Sequence, residues 1–145
     1  AKISRQSRKL FSGSAFSMAT WGHQAAGMSE TQLLSLERHA LACSGITAAG
    51  RCRAIGLIVS FGLLGTPRAR VIRETLREWF GIVRLAVDQP EVLENIRRAW
   101  AKAKNVFRHN NNNIQSVHGI MSNLIHMLIQ AKWDPVAYNM WIDPQ

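Results

Sequence analysis

The chain has 145 residues, 47% of them apolar, with 18 Lys and Arg against 9 Asp and Glu and a formal charge of +9. That length suits one domain with a core that needs no disulfides or metals, and the apolar share excludes a disordered tail. The cation excess, with 13 Arg among the 18, points to a polyanionic partner, because a guanidinium fork matches phosphate oxygens.

Helical spacing recurs along the chain and strand signals are scarce, so the sequence predicts an all-α fold, an irregular bundle of five or six helices. The first helix is expected over Ser4 to Gln24. Its apolar face is Leu10, Phe11, Ala15, Met18, Ala19 and Trp21, with Gly13 as a weak point and Gly22 and Gly27 at its end. Ser29-Glu30-Thr31-Gln32 reads as a capping box opening the second. There Leu33, Leu36, Ala40 and Cys43 share a face, and Gly45 is a stop.

The third helix, about Thr47 to Leu64, is apolar nearly all round after Arg53 and is expected in the middle of the fold. Its apolar run from Ala54 to Gly65 is too short to cross a bilayer. Pro67 fits the first turn of the fourth helix, which reaches about Val87. Pro90 starts the fifth, ending near Arg108. Asn110 to Asn113 is a loop, and a sixth helix covers Ile114 to Ala131. Residues 1–132 are thus read as a helical, nucleic-acid-holding domain, and 133–145 as a Trp- and Pro-marked coil or linker.

On the fourth helix Ile72, Leu76, Trp79, Phe80, Val83 and Val87 form a core stripe. Beside it Arg70, Arg73, Arg77 and Arg84 fall within about 60° at 100° per residue. With Arg68 at the helix start they form a row able to track phosphates, and Glu74 and Glu78 flank it. The fifth helix buries Leu93, Ile96, Trp100, Ala103 and Phe107. It carries Arg97, Lys104 and Arg108 on one outer stripe and Arg98 and Lys102 on another. Glu91 and Glu94 suit the dipole at its start. Lys2, Arg5, Arg8 and Lys9 complete the candidate nucleic-acid-binding set. Residues 1–108 hold 17 basic and 7 acidic side chains, a net +10, whereas residues 109–145 hold 1 and 2, a net −1.

Trp79 and Trp100 lie on apolar seams and read as core, whereas a Trp elsewhere could stack on unpaired bases. Cys43 and Cys52 match no zinc or redox spacing and read as buried free thiols of an intracellular protein. No pair among His23, His39, His109, His118 and His126 has zinc spacing, although His118 and His126 are expected on one helix. No nucleophile–base order, phosphate loop or carboxylate cluster is present, so no catalytic residue, metal or cofactor is assigned. Residues 29–64 make a poor DNA-reading helix-turn-helix, because the second helix is too apolar to meet base edges.

Three stretches carry a resemblance. They are Lys9-Leu10-Phe11 with Thr20-Trp21-Gly22-His23-Gln24-Ala25-Ala26-Gly27-Met28-Ser29; Leu63-Leu64-Gly65-Thr66-Pro67-Arg68-Ala69; and Val117-His118-Gly119 with Ala131-Lys132-Trp133-Asp134-Pro135 and Trp141-Ile142-Asp143-Pro144. Together they resemble the region after the polymerase palm of non-LTR retrotransposon reverse transcriptases, particularly divergent protist ones. Trp21 stands where that family has Tyr, and the palm's metal-binding Y-x-D-D is absent. The resemblance implies a non-catalytic thumb or connection segment of a longer polyprotein, holding RNA or an RNA–DNA hybrid, whose parent is an RNA-directed DNA polymerase. The start at Ala1 and the stop at Gln145 fit that expectation. The rival reading is a helical interaction module docking an acidic partner or a neighbouring domain.

Overall fold

The computed structural model describes residues 2–45 and 52–144, and of residues 2–5 the backbone only. The fold is mostly helical, with one two-stranded sheet at the end. It divides into two compact units, residues 1–21 with 28–73 and residues 22–27 with 74–145.

In the first unit α1 (Lys2–Leu10) passes through a π-helical turn, Phe11–Ala15, into α2 (Phe16–Ala19). The turn holds Gly13, where the sequence is weakest as a helix. A π-turn widens the repeat, so residues five apart face one way. Phe11 and Phe16 are therefore both buried, with ring centroids 6.4 Å apart. The face expected from a regular 3.6-residue period is corrected here: Leu10, Met18 and Trp21 are exposed, Trp21 at 91%.

The capping box at the start of α4 (Glu30–Cys43) forms in full: Ser29 Oγ accepts from the Gln32 amide and Gln32 Oε1 accepts from the Ser29 amide. Leu36, Ala40 and Leu41 then pack with Phe11, Phe16, Leu57 and Val71. The helix α5 (Arg53–Phe61) approaches closely, since a Cβ on Gly56 would meet Leu41 Cδ1 at 2.8 Å. The expected beginning of this helix at Thr47 lies outside the described residues. The expectation that it is buried all round is overturned: only Gly56 and Leu57 are buried in it, and Ile55 and Val59 are exposed. The thiols differ too, Cys43 being half-buried and Cys52 exposed.

The helix α6 (Pro67–Ala86) starts at Pro67, and the division between units falls within it, after Arg73. Its buried positions are Pro67, Val71, Thr75, Trp79 and Ala86, while Ile72, Phe80 and Val87 are exposed. The seam is thus rotated from the expected stripe, because Thr75 and Ala86 are too small or too polar to signal burial.

The second unit joins α3 (His23–Ala26), the rest of α6, α7 (Pro90–His109), α8 (Ile120–Gln130) and the strands β1 (Asp134–Ala137) and β2 (Met140–Ile142). The seam of α7 is as read from its spacing, with Ile96, Trp100 and Phe107 buried and Leu93 and Ala103 packed on the same cluster. Trp79 and Trp100 are 1% and 2% exposed, with ring centroids 5.4 Å apart. Asn123 on α8 donates to the carbonyls of His23 and Gln24, at 2.9 and 3.0 Å, which ties α3 in place. Gly27 has a φ of +72°, and a Cβ there would meet Ile114 Cδ1 at 2.9 Å.

Residues 134–142 are an antiparallel hairpin rather than coil. The cause lies in the core: a buried indole N–H needs an acceptor. Trp79 Nε1 donates to the Tyr138 carbonyl at 2.9 Å, and Trp100 Nε1 to the Pro135 carbonyl at 3.0 Å. The hairpin backbone supplies both acceptors. At the preceding helix end Trp133 N–H bonds Leu128 O and Lys132 N–H bonds Ile129 O. This is a Schellman closure with Lys132 at φ +64°, a conformation that costs a non-Gly residue about 1–2 kcal/mol.

Two substitutions check this account. Trp100→Ala removes a packed ring together with a hairpin tether and should cost about 3–5 kcal/mol in urea unfolding. Trp21→Ala should stay within about 0.5 kcal/mol of the parent.

Candidate nucleic-acid interface

A cation beside a carboxylate acts more weakly on a polyanion than one without such a neighbour. In the first unit Arg68 is matched: its guanidinium donates to both Glu30 oxygens, at 3.0 and 2.6 Å, and its Nε to Glu37 Oε1 at 3.3 Å. Arg53 Nε lies 3.1 Å from the other Glu37 oxygen. Glu37 is buried, so both cations are committed to it. Hydrogen bonding from Arg68 holds the Glu30 carboxyl below its ordinary range, and the same bond raises Arg68 further. Arg70 lies over the Phe16 ring, 3.7 Å from its centroid, and donates to Ser12 O at 2.9 Å. Arg8 donates to Ser60 O. Lys9 and Arg73 are exposed, and neither pairs with a carboxylate among the described residues. Lys2 and Arg5 lie on α1, their side chains outside the described residues.

In the second unit Glu94 receives both Arg97, at 3.5 Å, and Arg98, at 3.1 Å. Lys104 Nζ sits 2.7 Å from Asp134 Oδ1, and Arg97 lies 6.0 Å from the Tyr138 ring centroid. The stripe of Arg97 and Lys104 therefore faces the hairpin and helps to seat it. Arg77, Arg84, Lys102 and Arg108 are exposed and have no carboxylate partner among the described residues. On the α6 wheel Arg77 and Arg84 stand roughly 170° from the buried Thr75, Trp79 and Ala86. The hairpin is bound on that buried side, through Trp79. Within the second unit Arg77 and Arg84 therefore stand away from the side on which the Arg97–Lys104 stripe meets the hairpin. Glu78 is exposed with no cation partner among the described residues, and Glu74 approaches His23 Nε2 at 3.9 Å.

Of the basic residues outside the candidate set, Arg38 on α4 is exposed, and Lys132 lies at the end of α8 beside Trp133. With Lys104, Phe107, Arg108 and Asp134, Lys132 and Trp133 line a cavity of about 320 Å³. The available signal was a Lys-Trp doublet directly after a helix end. His118 lies before α8 and is exposed, so it does not share a helix with His126. His126 is buried, its Nδ1 is 3.0 Å from Asn112 Oδ1, and its ring is 5.8 Å from that of Phe107. Among the described residues no group of three or more His, Cys, Asp or Glu could hold a metal ion. Among them also, no helix is long and apolar enough to cross a membrane.

No family model, curated protein or solved structure matches the chain.

Two outcomes follow from these matched groups. Arg68→Gln leaves Glu37 buried with one cation and should cost about 1–3 kcal/mol of stability, read as a lower urea midpoint. Burial holds the His126 ring below its ordinary pKa of 6.5, so the unfolded chain takes up that proton more readily than the folded one. The stability this contributes is full above pH 6.5 and is lost as pH falls through the folded value. The Tm should drop on acidification from about pH 7 to 5, and His126→Gln should flatten that dependence.

Proposed function

We propose that this chain holds a nucleic-acid backbone, as a non-catalytic segment of a retroelement reverse-transcriptase polyprotein. The observation that carries the reading is the set of solvent-facing cations without carboxylates, led by Arg77 and Arg84 on one face of α6. Seven residues of helix separate these two, a rise of about 10 Å, which spans roughly three base steps of a strand at 3.4 Å each. Arg73 carries the same chemistry in the first unit, and Lys102 and Arg108 carry it on α7. The resemblance of the Trp21–Ser29, Leu63–Ala69 and Val117–Pro144 stretches to the post-palm region supports RNA or an RNA–DNA hybrid as the ligand. Guanidiniums paired with Glu30, Glu37 and Glu94 contribute less to this function, because the carboxylates lower the field that a phosphate meets.

One observation favours the rival reading of a protein-interaction module. Ile55, Val59, Leu63 and Leu64 are more than half exposed, Val59 at 71%, an apolar group of the kind partners cover.

Filter binding to an RNA–DNA hybrid across a salt series separates the two. Arg77→Gln with Arg84→Gln should weaken binding and reduce the slope of log K against log salt by about 0.9 for each phosphate no longer neutralised. Arg97→Gln with Arg98→Gln should change it far less. An unchanged slope in the first pair would contradict the proposal.

A further inference from the structure

The cavity at the end of α8 holds a charge pattern that the backbone-holding role does not use. Its one carboxylate, Asp134, is engaged by Lys104 at 2.7 Å. Arg108 and Lys132 also line it, and neither has a carboxylate partner among the described residues. Lys132 occupies the left-handed position of the Schellman closure, where a side chain is disfavoured and Gly is usual. The local backbone would be better satisfied without the amine that this position brings to the cavity. Trp133, the next residue, adds an indole that is 40% exposed, and Phe107 forms part of the wall.

A volume of about 320 Å³ is at the small end for ligand sites. It suits one small ligand rather than a length of polymer. Two cations without acidic partners suit a phosphate, and an accessible indole offers a face for a base to stack on. We infer that this cavity is a subsite for a single unpaired nucleotide, with the phosphate between Arg108 and Lys132 and the base against Trp133. The inference rests on the backbone-holding reading, because it takes the nucleotide to be the unpaired end of the strand being held.

The test compares a blunt RNA–DNA hybrid with the same hybrid bearing a short single-stranded overhang, on the parent chain, Lys132→Gly and Trp133→Leu. Lys132→Gly relieves the left-handed strain, so its Tm should be equal or higher and folding is not in question. The parent should bind the overhang hybrid roughly tenfold more tightly than the blunt one, the effect of one stacked base. Both variants should lose that gain while keeping the blunt affinity. Blunt binding without any overhang gain overturns the subsite and leaves the backbone-holding reading standing. A gain that survives in both variants also overturns it. No binding of the blunt hybrid at low salt defeats the backbone-holding reading, and the subsite falls with it.

Discussion

Carboxylates are outnumbered two to one by Lys and Arg in this chain, so their placement determines which cations can meet a partner. Glu37 is buried and fixes Arg53 and Arg68. Glu94 takes two guanidiniums from its own helix. Asp134 takes Lys104 and so fastens α7 to the hairpin. An exposed ion pair contributes little to stability, but it does lower the field a polyanion would feel. What remains is a smaller and more definite set of cations than composition implies, with Arg77 and Arg84 opposite the buried side of α6.

The hairpin shows how the second unit converts a hydrogen-bonding requirement into architecture. Two adjacent Trp rings fill its core, and each brings an N–H that must be satisfied there. The carbonyls of Pro135 and Tyr138 meet that need, which holds the last residues against the helices. The same arrangement places Trp133 and Lys132 at the mouth of a cavity beside Arg108. A segment that composition presents as a linker thus becomes one wall of a candidate site.

Much of the helical architecture was legible because its signals are local. Pro67 and Pro90 fix the starts of α6 and α7 through their own φ, and Ser29 with Gln32 closes a cap within four residues. The α7 seam was legible because five apolar residues keep one period. Other features depend on partners distant in sequence. The π-turn at Phe11–Ala15 breaks the period on which the first face was read, so Phe16 was overlooked and Trp21 misplaced. The α6 seam uses Thr75 and Ala86, which carry little hydropathy. The hairpin answers to indoles 35 to 59 residues away. The same limit applies to the site: a wheel can align guanidiniums on a helix, but it cannot show that Glu30, 38 residues before Arg68, has claimed it.

If the chain holds a nucleic-acid backbone as proposed, the availability of its guanidiniums, and not their number, defines the interface. Side-chain Nε–Hε NMR spectra of the chain, recorded at low salt during titration with a short RNA–DNA hybrid, read each Arg separately. Arg73, Arg77, Arg84 and Arg108 should shift progressively, while Arg53, Arg68, Arg97 and Arg98 should shift much less. Shifts in the second group without the first, or no shift in either while amides around Ile55 and Val59 respond to an added acidic protein, would contradict the proposal.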